Sequence, residues 1–351
     1  MVYITLILCF IASVLITPLV KKLAIAIGAT DKPNARKVHQ KIMPRLGGLA
    51  IYISFLIGFL ILRPSDPDFS PLPIIIGSFI IIITGVLDDR FELSAKVKLI
   101  GQLLAAGVVV LGGIQLQFIN IPFGGEIQFG IFSIPLTILW IVGITNAINL
   151  IDGLDGLAAG VSSIALITIS AMAILMGNVF VISMGLILLG STLGFLVYNF
   201  HPAKIFMGDT GALFLGYMIS VLALLGFKNI TIFSLIVPII ILGVPISDTF
   251  FAIIRRLVNK QPLGAPDKSH LHHCLLRLGY SHRQTVLIIY GIAAMFGLAA
   301  VIFSQATLWG ALFVIGVLLI AIEIFIEKIG LVGKDYKPLL KFFRQAGARN
   351  R

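Results

Sequence analysis

The chain has 351 residues, 58% of them hydrophobic and only 12% charged, against about 25% charged in a typical soluble domain. That balance excludes an ordinary water-soluble globular fold and points to an integral membrane protein. The net charge of +11 would suggest nucleic acid in a soluble protein, but here the basic residues are distributed between apolar runs, so no nucleic-acid partner is expected.

A helix needs roughly 20 apolar residues to cross the hydrocarbon core. Charge-free stretches cover 1–20, 46–62, 69–87, 99–125, 127–151, 156–203, 210–227, 229–247 and 284–322. The runs 156–203 and 284–322 are each long enough for two spans, broken at "MGNVF" and near "SQATLWG". The prediction is therefore all-α, with about eleven transmembrane helices. The first run has neither a basic leader nor a convincing small-residue cleavage site, and reads as helix one rather than a signal peptide. Cys9 falls in a span and Cys274 in a polar loop, so no disulfide framework is expected.

With eleven spans the two termini lie on opposite sides. Of the 26 Lys and Arg, all but Arg63 and Lys228 fall in one alternating set of loops and in the tail. Positive residues mark the cytoplasmic side, which predicts an outside N-terminus and a cytoplasmic C-terminus. One membrane-embedded domain is expected over 1–351, with 328–351 a basic cytoplasmic tail lying at the membrane surface among the lipids.

Polar residues collect on the predicted cytoplasmic side, in five segments. "DKPNARKVHQKIMPRLGGLA" (31–50) is a cationic loop suited to phosphates. In "GVLDDRFELSAKVKLIGQ" (85–102) the acidic pair Asp88 and Asp89 is followed by the basic pair Lys96 and Lys98, a combination that suits a metal–phosphate site. In "ITNAINLIDGLDGLAAG" (144–160) helical spacing puts Asn149 and Asp152 on one face, and likewise Asp152 and Asp155. Helix capping would explain one of these aspartates but not the whole NxxDxxDG pattern, whereas hard oxygen donors suit Mg²⁺. "YNFHPAKIFMGDTGALFLG" (198–216) offers Asn199, His201 and Lys204, with Asp209 at a helix start where an N-cap is the competing reading. The longest loop, 254–284, holds Arg255, Arg256, His270, His272, His273 and Cys274. Their spacing is not that of a usual structural zinc site, and the side chains read better as donors to phosphate oxygens.

Taken together, "DKPNARKVH…PRLGG", "DDRFELSAKVK", "NAINLIDGLDGLAAG", "NFHPAKIFMGDTGALFLG" and "HLHHCLLRLGYSHRQ" resemble the motifs of the bacterial polyprenyl-phosphate N-acetylhexosamine-1-phosphate transferases, in family order over 31–284. The resemblance implies a multi-pass enzyme of the bacterial plasma membrane. It would transfer GlcNAc-1-phosphate from UDP-GlcNAc to undecaprenyl phosphate, releasing UMP, and start a wall teichoic acid linkage unit or a related envelope polymer. It implies a Mg²⁺ requirement that Mn²⁺ can also meet, and leaves room for a homodimer. On the same basis Asp209 and Asn149 hold the metal, Asp88 aids attack by the lipid phosphate with Asp89 beside it, and Asp152 meets the metal-bound pyrophosphate. Asp155 and Asn199 lie on the nucleoside side, and the HLHH segment meets pyrophosphate and sugar. Leu271 interrupts the run of three histidines typical of the related phospho-MurNAc-pentapeptide translocase, which favours GlcNAc. A secondary transporter is the alternative from another class, but its site would lie near the bilayer midplane.

Overall fold

The structure, a computed structural model, describes residues 1–31, 42–120, 125–227, 236–258, 260–262, 269–330 and 336–341. Most of the predicted cationic loop between 31 and 42, the start of the 229–247 run, the segment 263–268 and most of the basic tail lie outside the described residues.

The chain is helical almost throughout: α1 Val2–Ile27, α2 Gly47–Leu62, α3 Leu72–Phe91, α4 Ala95–Leu111, α5 Ser133–Ile151, α6 Leu157–Met176, α7 Val179–Asn199, α8 Gly208–Phe227, α9 Ile236–Ile241, α10 Gly243–Val258, α11 Leu271–Arg277, α12 His282–Gln305 and α13 Leu308–Ile329. Among the described residues eight helices are long and apolar enough to cross a membrane, and α2 is apolar but shorter. The protein is a multi-pass membrane protein. Local signals set the helix ends. Gly28 and Gly177 close α1 and α6 in the left-handed conformation, and Ser281 with Gln284 forms a capping box at the start of α12.

Two boundaries differ from the sequence reading. The 99–125 run is not one helix: α4 begins earlier, at Ala95, and stops at Leu111. The chain then turns at Gly112–Gly113 and forms the hairpin strands Phe118–Asn120 and Glu126–Gln128. Absence of charge does not make a helix where glycines and β-branched residues favour a turn and strands. The loop predicted over 254–284 begins inside a helix that runs as far as Val258. In that helix, α10, Asp248, Arg255 and Arg256 are buried while Phe250, Ile253, Leu257 and Val258 are exposed.

Helix α8 occupies the centre, packed by α2, α3, α5, α6 and α7, and is apolar on every side, as a fully enclosed helix must be. Lipid offers no hydrophobic drive for helices to associate, so close approach at small residues supplies the packing. A Cβ added at Gly48 would lie 2.0 Å from the backbone nitrogen of Gly211, and one at Gly85 would lie 2.4 Å from the Cα of Thr210. Both obstacles are backbone and cannot swing aside. Gly48→Val is therefore expected to abolish the folded, detergent-stable protein, whereas Gly107→Ala, which meets nothing within 4 Å, should leave it intact. Size-exclusion profiles and thermal stability of the two variants check this.

This packing also fixes the loop before α2. Arg45 N–H donates to Ala29 O at 3.0 Å, Phe206 N–H to Pro44 O at 2.9 Å, Gly47 N–H to Phe206 O at 3.0 Å, and Gly48 N–H to Met207 O at 2.9 Å. The segments before α2 and before α8 are thus stapled side by side. Because successive long helices run up and down, the ends of α3, α5 and α7 and the starts of α4, α6, α8 and α12 gather at one end of the bundle.

Candidate active site

At that end a cluster of acids and bases forms around the first turn of α8. Asp88 and Asp89 are neighbours in the last turn of α3, and successive helical residues point about 100° apart. Their side chains accordingly do different things. Asp89, 4% exposed, accepts from Asp209 N–H at 2.9 Å, Thr210 N–H at 3.1 Å and the Thr210 hydroxyl at 2.6 Å. It is the cap of α8, supplied from another helix, and Arg45 Nε stands 3.4 Å from it. Asp88 instead faces Lys98, whose Nζ lies 3.2 Å from its Oδ2 and 2.6 Å from Oδ2 of Asp209.

Asp209 is therefore not the N-cap of its own helix. Its carboxylate projects between Lys98 and Arg45, whose Nη2 is 3.8 Å away. Lys96 and Lys98, paired in the sequence reading, separate: residues two apart do not share a helix face, and Lys96 is exposed while Lys98 enters the cluster. Arg45, which reaches Asp31, Asp89 and Asp209, escaped the sequence reading as an individual residue. Its signal was its place just before the Leu-Gly-Gly that opens α2.

The 149–156 segment supplies the opposite wall. Helix α5 ends at Ile151, with Asp152 N–H donating to Asn149 O at 3.2 Å. Asp152 and Asp155 do not share a helix face as expected, because the helix has already ended and the chain turns to the left-handed Gly156 that opens α6. Among the described residues no hydrogen bond to the Asp152 carboxyl is seen. Burial, followed by the negative charges of Asp209 and Asp89, pushes that carboxyl up to about 8, against the opposing pull of Arg45. Asp152 thus shares one electrostatic compartment with the α3–α8 cluster. Asn149 lies in the last turn of α5; the carboxylates of Asp88, Asp152 and Asp209 form an all-oxygen donor set beside Lys98 and Arg45. It fits a hard divalent cation.

Asp155 turns the other way. Its Oδ2 lies 2.8 Å from His201 Nδ1 and accepts from Ala203 N–H at 3.1 Å. Its own N–H donates to His282 Nε2 at 3.0 Å. Asn199 is buried with both ends of its amide engaged: Oδ1 accepts from Gly156 N–H at 3.1 Å and Nδ2 donates to Ile205 O at 3.1 Å. Tyr290 donates its hydroxyl to Gly156 O.

The histidine segment closes the site from a third side. Asp248, also missed from sequence, accepts from Leu271 N–H at 2.8 Å and holds His270 Nδ1 at 2.9 Å, anchoring the start of α11. His272 packs against the 152–155 turn, where a Cβ on Gly153 would come within 2.4 Å of His272 Nε2. Burial, then the neighbouring His273, drives His272 down to about 3, so near neutral pH it is an uncharged imidazole with one N–H to donate. The His273 ring lies tilted against it at 43°, with centroids 4.2 Å apart. Arg255 and Arg256 are buried near the end of α10.

A many-helix membrane protein with a cation-bridged carboxylate cluster at one end of its bundle is the class that this fold and site define. Residues 72–227 match the model of glycosyl transferase family 4. The chain is 54% identical to a probable undecaprenyl-phosphate N-acetylglucosaminyl 1-phosphate transferase of Bacillus subtilis (strain 168), over 99% of this chain and 98% of that protein. It is 37% identical to a decaprenyl-phosphate N-acetylglucosaminephosphotransferase of Mycolicibacterium smegmatis, over 81% of this chain and 78% of that one. An undecaprenyl-phosphate alpha-N-acetylglucosaminyl 1-phosphate transferase of Yersinia pestis is 28% identical over 86% and 84%. The chain belongs to glycosyl transferase family 4.

Proposed function

We propose that this protein transfers GlcNAc-1-phosphate from UDP-GlcNAc to undecaprenyl phosphate in the bacterial plasma membrane, releasing UMP. The observation that carries the reading is the Asp88–Lys98–Asp209–Arg45 cluster facing Asp152 at one end of the bundle. A lipid-anchored phosphate and a water-soluble nucleotide can meet only at a membrane boundary. The Lys and Arg distribution supports placing that end in the cytoplasm, with eleven spans and the N-terminus outside. An apolar groove between α10, α12 and α13, lined by Val244, Phe251, Met295, Phe296, Ile322 and Phe325, opens beside Asp248 and Leu271 and suits a polyprenyl chain. Leu271 within the histidine run favours GlcNAc over a MurNAc-pentapeptide donor, and the product suits the start of a wall teichoic acid linkage unit or a related polymer.

In this reading an oxygen of the lipid phosphate attacks the β-phosphorus of UDP-GlcNAc. The new pyrophosphate bond forms as the bond to the bridging oxygen breaks, and UMP carries that oxygen away. Asp209, Asn149 and Asp152 would hold Mg²⁺, which when bound neutralises charge on the pyrophosphate, the main catalytic need in phosphoryl transfer. Lys98 positions Asp88 to take a proton from a singly ionised lipid phosphate. Arg45 and Lys98 draw in and orient phosphate oxygens. Asp89 holds α8 in place, and Asn199 and His201 hold the turn that presents Asp155 to the nucleoside. The test is donor competition in a purified preparation: UDP-GlcNAc should yield UMP and a lipid product, while UDP-MurNAc-pentapeptide should yield neither. The reverse preference would move the protein to the translocase branch.

Metal dependence follows with a defined sign. EDTA should abolish turnover and Mg²⁺ or Mn²⁺ restore it. Without metal the Asp152 carboxyl holds its proton up to about pH 8, so below that pH a cation must displace a proton to bind. Apparent Mg²⁺ affinity should therefore rise between pH 6.5 and 8, by up to about tenfold per unit, and level off above. Affinity that is flat with pH, or equally steep in Asp152→Asn, would remove Asp152 from the metal site.

A further inference from the structure

Asp155, His201 and His282 come from three separate segments: the turn before α6, the loop between α7 and α8, and the first residue of α12. Their donor atoms, Asp155 Oδ2, His201 Nδ1 and His282 Nε2, all lie within 4.8 Å of one another. Tetrahedral zinc with ligands at about 2.0–2.1 Å spaces its donors roughly 3.3 Å apart, so small side-chain shifts bring all three to bonding distance. The imidazoles are already oriented. They stack at 4.2 Å with planes 23° apart, and each presents a ring nitrogen to the Asp155 residue, His201 to its carboxylate and His282 to its N–H. His282 is held by the capping box of Ser281 and Gln284, and the turn carrying Asp155 is held by Asn199 and Tyr290. The constellation is thus rigid before anything binds, with His201 exposed enough to leave an open path to water.

We propose that Asp155, His201 and His282 form a second cation site, selective for a transition ion such as Zn²⁺ or Co²⁺ and separate from the oxygen-donor cluster around Asp209. Two imidazoles and one carboxylate make a borderline-soft donor set that Mg²⁺ enters poorly and that zinc favours. Binding replaces the contact between His201 Nδ1 and Asp155 Oδ2, and His282 Nε2 gives up the N–H of Asp155 to take the ion. The fourth position is left to water. The site does not depend on the proposed reaction, because its donors and its selectivity are fixed by geometry alone. It involves none of His270, His272, His273 or Cys274.

The test uses the full-length protein in detergent with Mg²⁺ in excess to fill any hard-oxygen site. Co²⁺ titration followed by visible absorption should show one ion per chain with the intense bands of four- or five-coordinate cobalt. His201→Gln and His282→Gln should each weaken binding at least tenfold, whereas His273→Gln should not. X-ray absorption of the zinc-loaded native protein, which needs no variant to fold, should show two imidazoles with oxygen completing the shell. Absence of stoichiometric binding, binding unchanged in both variants, a sulfur shell, or an oxygen-only shell would each overturn the proposal.

Discussion

Asp209→Asn is expected to lower turnover by roughly a hundredfold or more while the protein remains folded. The first N–H groups of α8 are capped by Asp89, not by Asp209, so the substitution leaves the helix start untouched. It removes a negative charge placed 2.6 Å from Lys98, where metal-bound pyrophosphate would sit. Preorganised charge of this kind is typically worth 10²–10³ in rate. Asp89→Asn should behave in the opposite manner. It weakens three hydrogen bonds that cap α8 and removes the buried charge facing Arg45, so its effect should fall on stability, by about 2–4 kcal/mol. Turnover of purified Asp209→Asn at saturating Mg²⁺ and UDP-GlcNAc decides the matter. Activity within about threefold of the native enzyme, under roughly 1 kcal/mol, would mean that Asp209 is no ligand.

Lys98→Gln should also cost about a hundredfold or more, and Lys96→Gln almost nothing. Lys98 bridges the α3 and α8 acids from α4: its ammonium touches Asp88 and Asp209 at once. Without it those acids repel, and Asp88 loses the cation that orients it. Lys96 is exposed on the other face of α4, where a charge contributes little. Steady-state rates for the two variants, measured in parallel with thermal stability, separate the roles. Equal losses in both would indicate a general effect of basic charge at the start of α4 rather than a specific bridge.

The contrast between those two lysines shows where sequence reasoning stops. The motif segments that the structure describes lie at helix boundaries of matching polarity, and so they meet at one end of the bundle. What could not be read was direction. Adjacent Asp88 and Asp89 look equivalent in a string, yet the helical turn between them sends one to Lys98 and the other to cap α8. The NxxDxxDG spacing implied a shared face only so long as the helix continued, and it ends at Ile151, which frees Asp155 to reach His201. Asp248 sat at the edge of a long apolar run, and nothing local disclosed that it would anchor His270 from a different helix. The 99–125 run misled because it lacked charge, although its paired glycines already marked a turn.

A phosphorylated sugar, and not the sugar alone, is expected to move to the lipid. It is tested most directly with UDP-GlcNAc carrying one radiolabel in the sugar and another on the β-phosphorus, supplied with undecaprenyl phosphate and Mg²⁺ to the purified protein. Both labels should arrive in the lipid fraction in the ratio of the donor, with an equal amount of UMP that carries neither. Sugar label in the lipid without the phosphorus label, or release of UDP in place of UMP, would mean that the sugar moves without its phosphate.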